Sequence, residues 1–198
     1  MTIATGVLCA LLGYFLGAIP TGALVGRLWH GVDVLHSGSG HTGGLNVYRT
    51  TGNRWALVLT GLIDCALAML AVSLARAWFP APWAGPLAGL MAIVGHNWSV
   101  FLGLRGGVGL SSLTGAMITL SPLATLACAA ILVAIWLAVN RVLRHSARST
   151  IVVMLLFGPV MWLLRQPTPV LALGTFGAIP VILKELGDFN RVYETGAV

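Results

Sequence analysis

From residue 3 to residue 183 the chain is a succession of apolar runs, separated only by short connections carrying glycine, proline or arginine. Inside hydrocarbon every backbone N–H and C=O must be satisfied, and runs of about 20 apolar residues do this as membrane-crossing helices. Charged residues make up 8% of the 198 and hydrophobic residues 58%, too little charge to cover the apolar surface in water. The sequence therefore predicts an all-α polytopic membrane protein, with residues 1–198 forming a single integral-membrane domain.

The expected spans are residues 3–29, 55–79, 83–101, 110–120, 123–143, 150–164 and 168–183, about seven transmembrane or re-entrant helices. Gly17, Pro20, Gly22 and Gly26 interrupt the first, which should kink at Pro20 because proline removes a backbone donor and clashes with the preceding turn. Residues 110–120 are too short to cross about 30 Å of hydrocarbon alone, so they belong inside the bundle or where the bilayer thins. The apolar N-terminus has neither a basic leader nor a small-residue cleavage signal and is expected to stay as the first span. Cys9, Cys65 and Cys128 stand isolated in apolar runs, which predicts no disulfide and no metal site. Trp29, Trp55, Trp78 and Trp83, near span ends, suit an interfacial belt.

The net charge of +6 suits an anionic leaflet or an anionic substrate better than nucleic acid in so apolar a chain. Seven spans put Arg27, Arg49, Arg54, Arg105, Arg141, Arg144, Arg148, Lys184 and Arg191 on one side, and Arg76 and Arg165 on the other. Nine against two predicts, by the positive-inside rule, a cytoplasmic C-terminus and an N-terminus outside.

The same side carries two glycine loops. Residues 38–49 read G-S-G-H-T-G-G-L-N-V-Y-R. Gly38, Gly40, Gly43 and Gly44 let backbone N–H groups converge, Ser39 and Asn46 add neutral hydrogen-bonding groups, and Arg49 adds a fork of donors, a combination suited to phosphate. The second loop, residues 103–109, reads G-L-R-G-G-V-G, with Gly106, Gly107 and Gly109 around Arg105 and Val108. An arginine cluster alone is a topology signal, but topology requires no glycine. His41 within the first loop could donate to a substrate oxygen or move a proton near neutral pH. Asp64 in the second span should face the bundle and tie a helix to a loop, since an acid exposed to lipid is costly. His96, at the end of the third, should make a structural hydrogen bond.

These residues resemble, across nearly the whole chain, the bacterial integral-membrane acyl-phosphate:glycerol-3-phosphate acyltransferases. That family's first motif, G-S-G-N-x-G-A-T-N-x-x-R after G-S-I-P-x-G, is matched by Gly17–Gly22 and by Gly38, Ser39, Gly40, Gly43, Asn46 and Arg49. Its second motif, G-H-x-x-P-V-F-L-x-F-K-G-G-K-G-V-A, is matched by residues 95–111, and its S-x-x-S by Ser146 and Ser149. The departures are His41 and Leu45 in the first motif, Ser99 for proline, and Val108 for the lysine of G-G-K-G. In the third motif, H-R-x-N-I-x-R-L-x-x-G-x-E, Glu185 and Asp188 fall in the histidine and asparagine places, with Arg191 near the arginine.

The resemblance implies transfer from an acyl-phosphate to the hydroxyl of glycerol 3-phosphate or a related polar acceptor, forming lysophosphatidic acid for phospholipid synthesis. It implies no cofactor, membrane lipid and the two substrates as partners, and a bacterial inner membrane with the active site facing the cytoplasm. A mixed anhydride is already activated, so the enzyme must chiefly position two phosphates and offset their charge; the leaving phosphate would help take the acceptor's proton. The catalytic candidates are Ser39, His41 and Arg49. The substrate-binding candidates are Gly38, Gly40, Gly43, Asn46, Arg105, Gly106, Gly107, Gly109, Ser146, Arg148 and Ser149. Arg148 is the expected replacement for the lysine absent at Val108. The alternative is a catalytically impaired relative that keeps phosphate and lipid binding, because Val108, Glu185 and Asp188 stand where the family has working residues.

Overall fold

A computed structural model describes residues 1–191. Residues 192–198, which include the end of the third motif, lie outside them. Nine α-helices form among the described residues: α1 (Ile3–Gly17), α2 (Thr21–His30), α3 (Gly44–Thr51), α4 (Arg54–Trp78), α5 (Ala84–Asn97), α6 (Leu110–Leu120), α7 (Pro122–Leu143), α8 (Ser146–Leu163) and α9 (Thr168–Gly187). Among the described residues, five segments are long and apolar enough to cross a membrane: α1 with α2, then α4, α7, α8 and α9. Leu8, Leu11, Phe15, Leu62, Leu126, Leu137 and Phe176 are among the large side chains these helices turn outward, as lipid contact requires.

The expectation of about seven helices is corrected in two places. The first predicted span is broken outright between Gly17 and Thr21. Pro20 has no N–H to continue the ladder, and Ser99 Oγ instead donates to the Ala18 carbonyl at 2.5 Å, so the break is satisfied from α5's end. The stretch expected to be wholly loop contains α3, whose eight residues bury Val47 against Val34 and Ala56 while Leu45 is exposed. One short amphipathic turn inside a glycine-rich segment carries too little periodicity to read. Helix α8 also starts four residues earlier than expected, because His145 caps it through an acceptor for the Arg148 N–H.

Helix α5, 14 residues and so about 21 Å long, is buried along most of its length. Helices α1 and α5 can lie in backbone contact because Gly13 and Gly17 face the backbones of Ala88 and Ala92, and Gly95 faces that of Tyr14; a Cβ at any of the three glycines would overlap main-chain atoms. Small residues spaced by four are how helices associate without a hydrophobic drive between them. Ile93, Leu113, Met117, Met161 and Leu173 fill the centre between α5, α6, α8 and α9. The connections at one end of the bundle are tied together. Thr42 N donates to Gly106 O at 3.3 Å, Arg191 Nη1 to Ser39 O at 2.8 Å, and Arg148 Nε to Phe189 O at 2.9 Å.

Candidate active site

The first glycine loop is wound around one side chain. Asn46, 2% exposed, accepts Ser39 N–H at 2.6 Å and donates to the carbonyls of Val34 (2.9 Å), Ser37 (3.1 Å) and His41 (2.8 Å). Gly38 sits in the left-handed region, with φ 58°, directly over this carboxamide, where a Cβ would strike the Asn46 oxygen. The loop's outer side is held by residues 188–191. Asp188 Oδ2 meets His41 Nε2 at 2.8 Å, and Arg191 donates to Ser39 O and, at 3.3 Å, to Gly38 O.

This end of the bundle opens into a cavity of about 440 Å³. Its polar end is lined by Ser39, His41, Gly43, Asn46, Arg49, Asp64, His96, Ser111, Ser146, Glu185 and Asp188. Its apolar end is a slot between α6, α7 and α8, lined by Leu113, Leu132, Val133, Trp136, Val153, Met154 and Phe157. Three helices begin at the cavity wall: α3 at Gly43–Leu45, α6 at Gly109–Ser111 and α8 at Ser146–Ala147. None has an acidic residue in its first turn, and no side chain caps α3 or α6. Converging N–H groups and the positive ends of three helix dipoles favour an anion there. A terminus contributes about 0.3–1 kcal/mol at the surface and up to about 2 kcal/mol when partly buried. Val108 lines the same cavity.

Of the residues expected at the site, Ser39, His41, Gly43, Asn46, Arg49, Gly109 and Ser146 meet in this cavity, while Gly38, Gly40, Gly106, Gly107, Arg105, Arg148 and Ser149 do not line it. Gly106 and Gly107 serve packing: they press on the end of α5, where a Cβ would overlap the His96 carbonyl or the His96 ring. Arg105 is exposed, with Nη1 3.4 Å from His36 Nε2. Arg148 is committed to the C-terminal segment, bonding Phe189 O and Asn190 Oδ1 and lying 4.7 Å over the Phe189 ring. It lies outside the cavity that Val108 lines. Ser149 donates within its own helix turn and to Asn140.

The residues that sequence reasoning left out of the site are acidic or α-helical. Glu185 and Asp188, 8% and 4% exposed, close the polar end from α9, with Glu185 facing Asp188 and Arg49. Asp64, 3% exposed, accepts from Thr21 Oγ1 and lies 3.5 Å from His96 Nδ1, so it ties α4 to α2 and α5 rather than to the glycine loop. Ser111 and Thr114, one turn apart on α6, face the cavity; their spacing was the available signal.

A helical membrane protein with a cavity whose polar end, lined by three helix starts and Arg49, continues into an apolar slot is the class that this fold and site define. Comparison with known proteins specifies it further. A family profile described as Glycerol-3-phosphate acyltransferase matches residues 7–195. A Synechococcus (strain JA-3-3Ab) glycerol-3-phosphate acyltransferase is 36% identical over 95% of this chain and 90% of its own length. The Rubrobacter xylanophilus enzyme of the same name is 39% identical over 89% and 85%. The crystal structure of PlsY (YgiH), an integral membrane glycerol 3-phosphate acyltransferase in its glycerol 3-phosphate form, has a TM-score of 0.79 at 25% identity, covering 94% of this chain and 90% of that one. The chain belongs to the glycerol-3-phosphate acyltransferase family.

Proposed function

We propose that the protein transfers the acyl group of an acyl-phosphate to a hydroxyl of glycerol 3-phosphate, releasing phosphate and leaving lysophosphatidic acid in the membrane. The observation that carries this reading is the joining of two environments in one cavity. Three helix N-termini and Arg49 suit phosphate at one end, and the slot at Leu132, Trp136 and Phe157 suits an acyl chain at the other. A mixed anhydride with its tail in the slot and its phosphate at the helix starts has its carbonyl carbon at the boundary between them. There the acceptor oxygen attacks, the carbonyl–oxygen bond to phosphate breaks, and the acceptor's proton passes to the departing phosphate. Positioning and charge carry the step, and no covalent serine is required. In this reading Arg49 holds a phosphate by its fork, Ser39 contributes at the loop surface, and Gly43, Gly109 and Ser146 supply backbone donors at the helix starts.

The nine-to-two arginine and lysine asymmetry supports a cytoplasmic location for this face of a bacterial inner membrane, where a soluble phosphorylated acceptor is at hand. A second reading, phosphate and lipid binding without turnover, draws on the lining itself: Asp64, Glu185 and Asp188 set three carboxylates against Arg49. Purified protein in detergent, given acyl-phosphate and glycerol 3-phosphate, separates the two. Lysophosphatidic acid and phosphate appearing in equal amounts support transfer, and tight glycerol 3-phosphate binding without product supports the second reading.

A further inference from the structure

Both ring nitrogens of His41 face acceptors. Nδ1 lies 3.3 Å from the Gly106 carbonyl oxygen, and Nε2 lies 2.8 Å from Asp188 Oδ2. A carbonyl cannot donate, so Nδ1 must carry a proton, and an ionised Asp188 requires one on Nε2 as well. Only the imidazolium satisfies both bonds against a carboxylate. The pair is shielded, with the His41 side chain 18% exposed and that of Asp188 5%. The other Asp188 oxygen is 3.4 Å from Arg191 Nη1, the same group that donates to Ser39 O. Gly106 O takes the Thr42 N–H in addition to the His41 ring. These bonds close a ring that runs from Asp188 through His41, the loop at residues 39–42 and Arg191 back to Asp188.

We propose that His41 and Asp188 work as one ion pair that positions the phosphate-facing glycine loop, with His41 acting as a double donor and not as the proton acceptor of the reaction. Asp188 and His41 are therefore positioning residues. The two positions are 147 residues apart and depart together from the family motifs: histidine for one asparagine, aspartate for the other. Either ion alone would be left buried against a neutral partner. Other charged groups stand near the pair: Glu185 lies beside both Arg49 and Asp188, and Lys184 also acts on Asp188.

The pair rests on the transferase reading for its kinetics but not for its existence, and the test keeps them apart. Four variants of the full chain are compared in detergent: Asp188→Asn, His41→Asn, the double variant, and His41→Gln, whose amide nitrogen reaches Asp188 but cannot serve as a base. The expected result is a KM for glycerol 3-phosphate raised at least tenfold in each Asn single variant. The double variant should recover most of that loss, and His41→Gln should keep kcat within about fivefold. A kcat lowered a hundredfold or more in His41→Gln with KM unchanged makes His41 the base and overturns the proposal, as does strict additivity in the double variant. A wild type without turnover defeats the transferase reading alone. The same four-variant cycle is then read from melting temperatures, where a double variant more stable than the two single losses predict supports the pair and additive losses reject it.

Discussion

The Asn46 side-chain oxygen accepts the Ser39 N–H at 2.6 Å, and the same carboxamide's nitrogen donates to three carbonyls spread over residues 34–41. One buried amide thus shapes the loop that faces the cavity. Asn46→Asp keeps the acceptor but turns the three carbonyls toward a carboxylate, so it should be worse than Asn46→Ala. Leaving several buried groups unpaired costs about 1–3 kcal/mol each. Melting of the detergent-solubilised protein should fall in both variants, furthest in Asn46→Asp, and a wild-type melting curve for Asn46→Asp contradicts this account.

Arg49 is the arginine of the first motif that reaches the cavity. Arg49→Ala should reduce transfer or glycerol 3-phosphate binding by about one to two decades, the value of a charge-assisted contact. Arg49→Lys should restore only part, because a point charge cannot make the bidentate fork. Undiminished affinity in Arg49→Ala would move the phosphate elsewhere.

Arg148 and Val108 should behave independently. Arg148 is held by Phe189 and Asn190, outside the cavity that Val108 lines. Arg148→Ala should loosen the C-terminal segment and lower thermal stability, and adding Val108→Lys should not repair it. Recovery of turnover by Val108→Lys in the Arg148→Ala background would restore the idea that both address one phosphate.

The apolar slot should act as a ruler. Ala129 lines it beside Leu132 and Val133, and Ala129→Phe adds a ring to space assigned to the acyl tail. Turnover with long-chain acyl-phosphates should drop at least tenfold relative to short-chain ones, with the KM for glycerol 3-phosphate unchanged. Equal loss across chain lengths would place the tail outside the slot.

Helix α1 meets α5 through glycine, which makes their interface intolerant of a single methyl group. Gly17→Ala sets a Cβ into the Ala92 backbone. Overpacking of this kind costs about 1–3 kcal/mol, to be seen as a lower melting temperature. Gly31→Ala, where the space is open, tests the left-handed backbone alone.

The linear pattern was sufficient for the helical spans, because hydrocarbon length and the demand for internal backbone hydrogen bonding act on each segment separately. It was also sufficient for the first motif, where glycines, Asn46 and Arg49 are close neighbours in the chain. The second loop shows what the linear pattern leaves open: Gly106 and Gly107 look like an anion cradle beside Arg105, and they also press closely on the carbonyl and ring of His96. A glycine required for phosphate and a glycine required for close packing look alike until the opposing surface is known. The short helix α3 was hidden for a related reason, and the kink expected at Pro20 is a full break, since both depend on partners from elsewhere, Ala56 for the one and Ser99 for the other.

By itself the sequence determined that this protein is helical, belongs in a bilayer and carries a glycine-rich turn before Asn46, because periodicity, apolar length and local turn chemistry are properties of contiguous residues. Only the tertiary structure decided which arginines reach the cavity, that three helix starts converge where a lysine is missing, and that His41 is held by Asp188. Those outcomes depend on distances between residues as far as 147 positions apart, and such distances are set by how the helices pack.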